Sequence, residues 1–371
     1  MTVLAALAVA VWLYLLLAHG RFWQAGPMLQ ADRPADAPAV TVVVPARNEA
    51  PVIERALRSL LSQDYPGPFR VILIDDNSTD PTSAIARGIG NPRLEIVAGA
   101  PRPAGWSGKL WAVSQGLSRA GDAEFCLLTD ADIVHAPQHL STLVAQAQRT
   151  NLDMVSEMVA LACDSSAERA LVPAFVFFFQ LLYPFARVND SLHATAAAAG
   201  GTILIRRRAL ARIGGMEAVR GALIDDVALA AAVKKGGRIW LGHSLLARSI
   251  RPYPKVADIW RMITRSAYVQ LRFSPLLLVA TTLGMALIWL VPPAAALFAH
   301  GAARWLGLLA WVMLAASYIP TLRRFGRSVA WAPFLPLVAA FYMAGTIGSA
   351  VNHHLGRGVA WKGRAYQDLT G

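Results

Sequence analysis

The sequence predicts an α/β domain with a mostly parallel sheet, inserted between one N-terminal and about three C-terminal apolar helices that hold it to a membrane. Three observations carry this. The chain of 371 residues is 55% hydrophobic and only 16% charged, with mean hydropathy +0.43, too apolar for an ordinary soluble protein. Its apolar residues gather in runs at 3–17, 274–300, 302–320 and 328–351, uncharged except for Arg304 near the start of the third, and the last three are close to the roughly 20 residues a membrane helix needs. Between them, over about 38–250, short β-branched runs alternate with helix-periodic segments, the pattern of a sheet with helices on both faces.

Taken in order, the first run has the length of a signal-peptide core. No positive segment precedes it and Ala18-His19-Gly20 is a weak cleavage site, so residues 1–20 are expected to be an anchor. Arg21 and Arg33 follow it, and Arg323, Arg324 and Arg327 lie between the last two runs, which places the globular domain in the cytoplasm. Four crossings would leave Arg357, Lys362 and Arg364 of a basic tail, 352–371, on the other side, unless the Pro292-Pro293 segment is re-entrant.

Residues 40–44 read as a strand buried on both faces and ending at Pro45, and Val52, Ile53, Ala56, Leu57, Leu60 and Leu61 recur at helical spacing. A second strand at 69–74 is closed by Asp75-Asp76-Asn77-Ser78-Thr79-Asp80-Pro81, a cluster of turn formers. Leu110, Val113 and Leu117 mark another helix, and 125–128 a third strand, followed by Thr129-Asp130-Ala131-Asp132. The polar clusters thus all follow strand ends, where ligands bind in such sheets. Neither a Gly-x-Gly-x-x-Gly nor a P-loop stretch is present to grip phosphate, so a divalent ion is expected to do so. Asp130 and Asp132 would share a face if the strand ran on to them, and hard oxygen ligands suit Mg²⁺ or Mn²⁺. His135 and His139 are expected on a surface helix interrupted by Pro137 rather than at the metal, and Cys126 and Cys163 make no metal spacing.

Residues 175–185, rich in phenylalanine, are expected to lie in the membrane interface beside the active site, where a hydrophobic acceptor would enter past Phe178 and Phe179; a buried core helix is the alternative. The net charge of +12 and pI near 10.3 arise from scattered Lys and Arg rather than a block interleaved with aromatics, so anionic lipid and a diphosphate are the expected partners, and nucleic acid is not.

Over 38–250 the chain resembles the inverting, family-two glycosyltransferases of GT-A, Rossmann-like fold. Val42-Val43-Val44-Pro45-Ala46-Arg47-Asn48-Glu49 looks like that family's opening strand and base-binding loop, Asp75-Asp76-x-Ser78-x-Asp80 like its second nucleotide loop, and Trp106-Ser107-Gly108-Lys109 like the loop whose lysine approaches the nucleotide. The resemblance makes Asp130-Ala131-Asp132 the metal motif and Asp226 the general base, supported by Asp225 where relatives often carry Glu. Pro45, Arg47, Glu49, Asp76, Lys109 and Asp130 would then bind the donor, a nucleotide-diphosphate sugar with uridine preferred. Within 251–273, read as an interfacial helix, the Gln-x-x-Arg-Trp motif of many membrane-bound relatives is absent, and Arg261 or Arg265 would serve the diphosphate instead.

A narrower resemblance is to the hopene-associated glycosyltransferases of bacterial hopanoid synthesis, on Ala197-Ala198-Ala199-Gly200-Gly201, Gly221 to Asp226, Arg251-Pro252-Tyr253-Pro254, Gln270-Leu271-Arg272-Phe273-Ser274-Pro275 and Trp361-Lys362-Gly363-Arg364-x-Tyr366. More distantly the chain is similar to ceramide glucosyltransferases. These likenesses imply a multi-pass protein of the bacterial inner membrane acting on a membrane lipid, with Gly200 and Gly201 near the acceptor. A polyprenyl-phosphate sugar transferase or a polysaccharide synthase is the neighbouring reading. A transporter would carry charges within its spans and internal repeats, and a non-catalytic scaffold would have lost its carboxylates; neither fits.

Overall fold

The computed structural model describes residues 1–356 and, as backbone only, the short antiparallel pair formed by Ala360–Trp361 and Arg364–Ala365. Arg357, Lys362, Gly363 and Tyr366 of the tail lie outside the described residues. The chain divides into a sheet unit, Pro27–Ala162 with Arg187–Pro252, and a helical unit built from Met1–Gly26, Cys163–Ala186 and residues 253–356.

The sheet unit contains β1 (Val40–Ala46), β2 (Phe69–Asp75), β3 (Leu94–Ala98), β4 (Phe125–Thr129), β5 (Ile133–His135), β6 (Met154–Ala160), β7 (Thr202–Arg206) and β8 (Ile239–Ser249). They form one sheet in the order β3-β2-β1-β4-β7-β6-β8-β5. Only β7 and β5 run against the rest. The strand order reverses between β1 and β4, so the crevice beyond their carboxyl ends is where a ligand belongs in such a sheet.

The β1 sequence explains its place. Val40, Val42, Val43, Val44 and Ala46 are all at most 1% exposed, and withdrawing each valine from water contributes about 1.5–3 kcal/mol. Val43 pairs with Ile72 on one side and Leu128 on the other. Contrary to expectation, β1 continues through Pro45, which pairs with Ile74 of β2; pairing with β4 stops at Val43, so the missing N–H loses no ladder bond there. The helix Gly108–Ser118 lies so close over β1 that a Cβ on Gly116 would fall 2.3 Å from Val43 Cγ1.

β4 ends at Thr129, one residue short of the carboxylates. Asp130 to Asp132 form a turn, closed by the Ile133 amide donating to the Asp130 carbonyl (3.3 Å), so the turn and not the strand pleat aims these two side chains.

In the helical unit three segments, Pro275–Phe298, Gly301–Arg324 and Val329–His354, are long and apolar enough to cross a membrane; the helix Thr2–Leu17 is shorter. The Pro292-Pro293 pair does not break the first of them. A π-helical turn over Ala286–Leu290 precedes the prolines, and its wider hydrogen-bonding loop accommodates them within one continuous helix. The helix Ser166–Leu182, capped by a reciprocal Ser165 and Glu168 box, belongs to this unit although its sequence falls inside 38–250. Phe177 is fully buried against Phe22, Trp289 and Tyr318, the packing of a core helix.

Candidate active site

The acids of the sheet unit converge. Pro45 and Thr129 at the ends of β1 and β4, Lys109 from the first turn of the helix Gly108–Ser118, Gly200 just before β7, and Asp225 and Asp226 from the first turn of the helix Asp225–Lys234 line one recess together with Asp130. Local sequence builds each part. Ser107 caps its helix by accepting from the Leu110 amide, which sets Lys109 one residue inside. A lysine there opposes the helix dipole, a local disadvantage accepted for the site's charge. Asp225 and Asp226 favour the same dipole at the start of their own helix.

Lys109 Nζ lies 2.9 Å from Asp130 Oδ1 and 3.5 Å from Asp225 Oδ2. Burial opposes its charge, but Asp130 and Asp225 outweigh that and raise its pKa, so it stays an ammonium. Burial also pushes the Asp130 carboxyl up, against the pull of Lys109 and with the push of Asp132 and Asp225. Asp226 accepts from the amides of Gly200 and Val227, both at 2.8 Å. Burial, then the neighbouring Asp225, push its pKa up to about 7 despite Lys109 and these two amides. A carboxylate poised near neutral pH and fixed by two amides has the properties of a general base.

Gly200 lies against that carboxylate. A Cβ on it would sit 3.1 Å from Asp226 Oδ2 and 3.4 Å from Lys109 Nζ, whereas one on Gly201 would meet only Val159 and Ile133 at 3.5–3.6 Å. Gly200→Ala is expected to lower kcat with the fold intact, by up to about 10²-fold, the loss that a misplacement of about 1 Å brings, and Gly201→Ala to change it far less. Equal kcat for the two variants, with matching melting curves, would show that Gly200 does not position Asp226.

The first two strand ends form a stitched double loop. Arg47 donates to the carbonyls of Asp76 and Asn77 and lies 3.8 Å from the buried Asp76 carboxylate. The Asn48 amide donates to Ser78 Oγ, the Glu49 amide to Thr82 Oγ1, the Ala50 amide to Asp80 Oδ2, and the Thr79 amide to Asn48 Oδ1. Asn48 and Asn77 hold left-handed backbone at φ +52° and +53°, which asparagine tolerates.

Sequence reasoning missed two features. Arg251, just past β8, puts Nε 2.6 Å from Asp132 Oδ2 and Nη2 2.8 and 2.9 Å from the two Glu49 oxygens. And His135 and His139 are not on a surface helix: both are buried, His135 in β5 and His139 opening the helix His139–Arg149. Thr129 Oγ1, which donates to the Gly201 carbonyl (2.9 Å), lies 3.1 Å from His135 Nε2; the two Nδ1 atoms are 2.9 Å apart, and His139 Nε2 is 2.5 Å from Glu157 Oε1. Burial, then His139, drive the His135 pKa well down.

Other expected residues lie elsewhere. Arg261 and Arg265 sit on the helix Val256–Gln270 of the helical unit, both exposed, with Arg261 paired to Asp258 of the same helix. Phe178 packs edge-on against Trp289 and Tyr342, and Phe179 packs edge-on against Phe185 and tilted against Tyr183, all within the helical unit.

Whether the acids suit a divalent ion is answered by their donor atoms. Among the described residues, Asp130, Asp225 and Asp226 lie around Lys109, while Asp132 and Glu49 pair with Arg251, and all five offer hard oxygen donors. Among the described residues no three or more His, Cys, Asp or Glu are grouped to hold a metal by themselves. The protein therefore offers a partial ligand set, of the kind completed by substrate phosphates.

The fold is shared with a known protein. A mannosyltransferase from Pyrobaculum calidifontis, PcManGT, solved in complex with GDP-Man and Mn²⁺, matches over 96% of this chain and 99% of its own with a TM-score of 0.58 and 23% identity, which establishes the GT-A architecture and nothing finer. Residues 41–214, just under half of the chain, match the family model described as Glycosyl transferase family 2. The 4,4'-diaponeurosporenoate glycosyltransferase of Staphylococcus aureus (strain MRSA252) is 36% identical over 95 residues, 26% of this chain and 24% of the relative. Its counterpart in strain USA300 is 33% identical over 111 residues, 30% and 28% respectively. The chain thus spans only about a quarter of the length of these curated relatives.

Proposed function

We propose that the protein is an inverting glycosyltransferase that moves one sugar from a nucleotide diphosphate, a uridine diphosphate by preference, to the hydroxyl of a membrane lipid at the cytoplasmic face of a bacterial inner membrane, with a hopanoid as the acceptor class. The observation that carries it is the pairing of Asp226, with its pKa near 7, and Lys109 with Asp130 in one recess: a proton acceptor beside a cluster suited to a diphosphate.

In this reading the loops at Arg47 to Glu49 and Asp75 to Asp80 take the base and ribose, with Asp76 toward them. Asp130 and Asp132 would hold Mg²⁺ or Mn²⁺, which supplies Lewis-acid neutralisation of the departing diphosphate. Lys109 adds positive charge at the same oxygens. Asp226, kept in register by the Gly200 and Val227 amides, takes the proton of the attacking hydroxyl, and a single displacement inverts the anomeric carbon. The relatives named for 4,4'-diaponeurosporenoate support an apolar acceptor, and the three apolar helices support a lipid held in the membrane.

Mass spectrometry of lipids from a strain with and without this chain tests the acceptor. The expected result is loss of one sugar-bearing polycyclic lipid carrying a single sugar. A lost polyprenyl-phosphate sugar or a lost polymer would replace the reading.

A further inference from the structure

Both acids expected to hold the divalent ion already carry a cation belonging to the protein. Lys109 lies on Asp130, and the Arg251 fork spans Asp132 and Glu49, joining the end of β1 to the turn after β4. The arginine is held from behind: Ser249 pairs with Ile133 in the β8–β5 ladder, and the Ile250 amide donates to the Asp132 carbonyl at 2.9 Å. Its two partners are deeply sequestered, at 9% and 11% side-chain exposure, while Arg251 itself is 34% exposed.

We propose that Arg251 is a positioning residue, a latch that occupies Asp132 in the donor-free protein and makes divalent-ion binding depend on the nucleotide. The inference rests on the reading of Asp130 and Asp132 given under Proposed function. An ion arriving alone must displace a guanidinium held at 2.6 Å from Asp132 and strand it beside a new dication. A nucleoside diphosphate changes the balance, because its phosphate oxygens accept the released guanidinium in the planar, bidentate geometry arginine favours. Glu49 keeps the arginine tethered meanwhile. Ion and nucleotide are then thermodynamically linked, and each raises the affinity of the other by the same factor.

The test measures Mn²⁺ binding to the full chain in detergent by electron paramagnetic resonance, with and without UDP or GDP. For the unaltered protein, nucleotide is expected to raise Mn²⁺ affinity about tenfold or more, within the usual range of such couplings. Arg251→Met is expected to tighten Mn²⁺ binding in the absence of nucleotide and to remove most of that tenfold gain. Since this variant removes the guanidinium from two sequestered carboxylates, Arg251→Lys provides the second measurement: it keeps the charge but cannot bridge both acids, and should fall between the other two. Nucleotide-free Mn²⁺ affinity that is unchanged or weaker in both variants, with the coupling intact, overturns the latch. Failure of the unaltered protein to bind Mn²⁺ even with nucleotide overturns instead the metal assignment on which it rests.

Discussion

Asp226→Asn is expected to lower kcat for sugar transfer about 10²–10⁴-fold, the usual contribution of a positioned base, while the donor dissociation constant changes little, because the diphosphate cluster of Lys109 and Asp130 remains. The pH profile gives the sharper reading. As a general base Asp226 would work as a carboxylate, and in the free protein its pKa is pushed up to about 7, so kcat/KM should rise with pH through about 7 and level off above it, and that limb should vanish in the asparagine variant. The sign for folding is the reverse. A carboxyl whose folded-state pKa lies above its unfolded value of about 4 lends stability below that value and loses it as pH rises through about 7. The site is thus least favourable to the fold in the pH range where it is active, as is common for catalytic groups. Steady-state rates from pH 5 to 9 on both proteins decide the matter; a profile unchanged by the substitution would remove Asp226 from the mechanism.

Chelation should have an effect of comparable size. Treatment with EDTA is expected to reduce transfer by about 10²–10³-fold, the magnitude associated with losing one electrostatic stabiliser of the leaving group, and added Mn²⁺ or Mg²⁺ should restore it. Asp130→Ala should reproduce the loss without being rescued. The fold should survive this change, because Lys109 keeps Asp225 as a partner at 3.5 Å. Full activity after exhaustive chelation would exclude the ion from the reaction.

Much of this site was legible because its supports are local. β1, β2 and β4 are uninterrupted apolar runs, and the acids follow their ends, where the order of a doubly wound sheet puts a crevice. What was hidden depends on distant pairing. The partners of Arg251 lie 119 and 202 residues away in sequence, and no spacing rule joins them. β6, with Ser156 and Glu157 at its centre, does not read as a buried strand until Ser156 is seen bonded to the Ala199 amide and Glu157 to His139. The two histidines misled for the same reason: helical spacing with an intervening Pro137 favours a surface turn, whereas a complete set of hydrogen bonds makes burial affordable. The Phe-rich helix fits an interfacial or a packed position equally well by periodicity, and only its ring contacts in the helical unit distinguish them.

The histidine pair has one more implication. Because the Gly201 carbonyl can only accept, the Thr129 hydroxyl proton is committed to it, and the donors upstream follow in turn: His135 donates from Nε2 to Thr129, and His139 donates from Nδ1 to His135 Nδ1. The array is a dead end for proton traffic, terminated by a peptide oxygen instead of solvent, and so it ties the buried histidines to the glycine turn whose Gly200 amide holds Asp226.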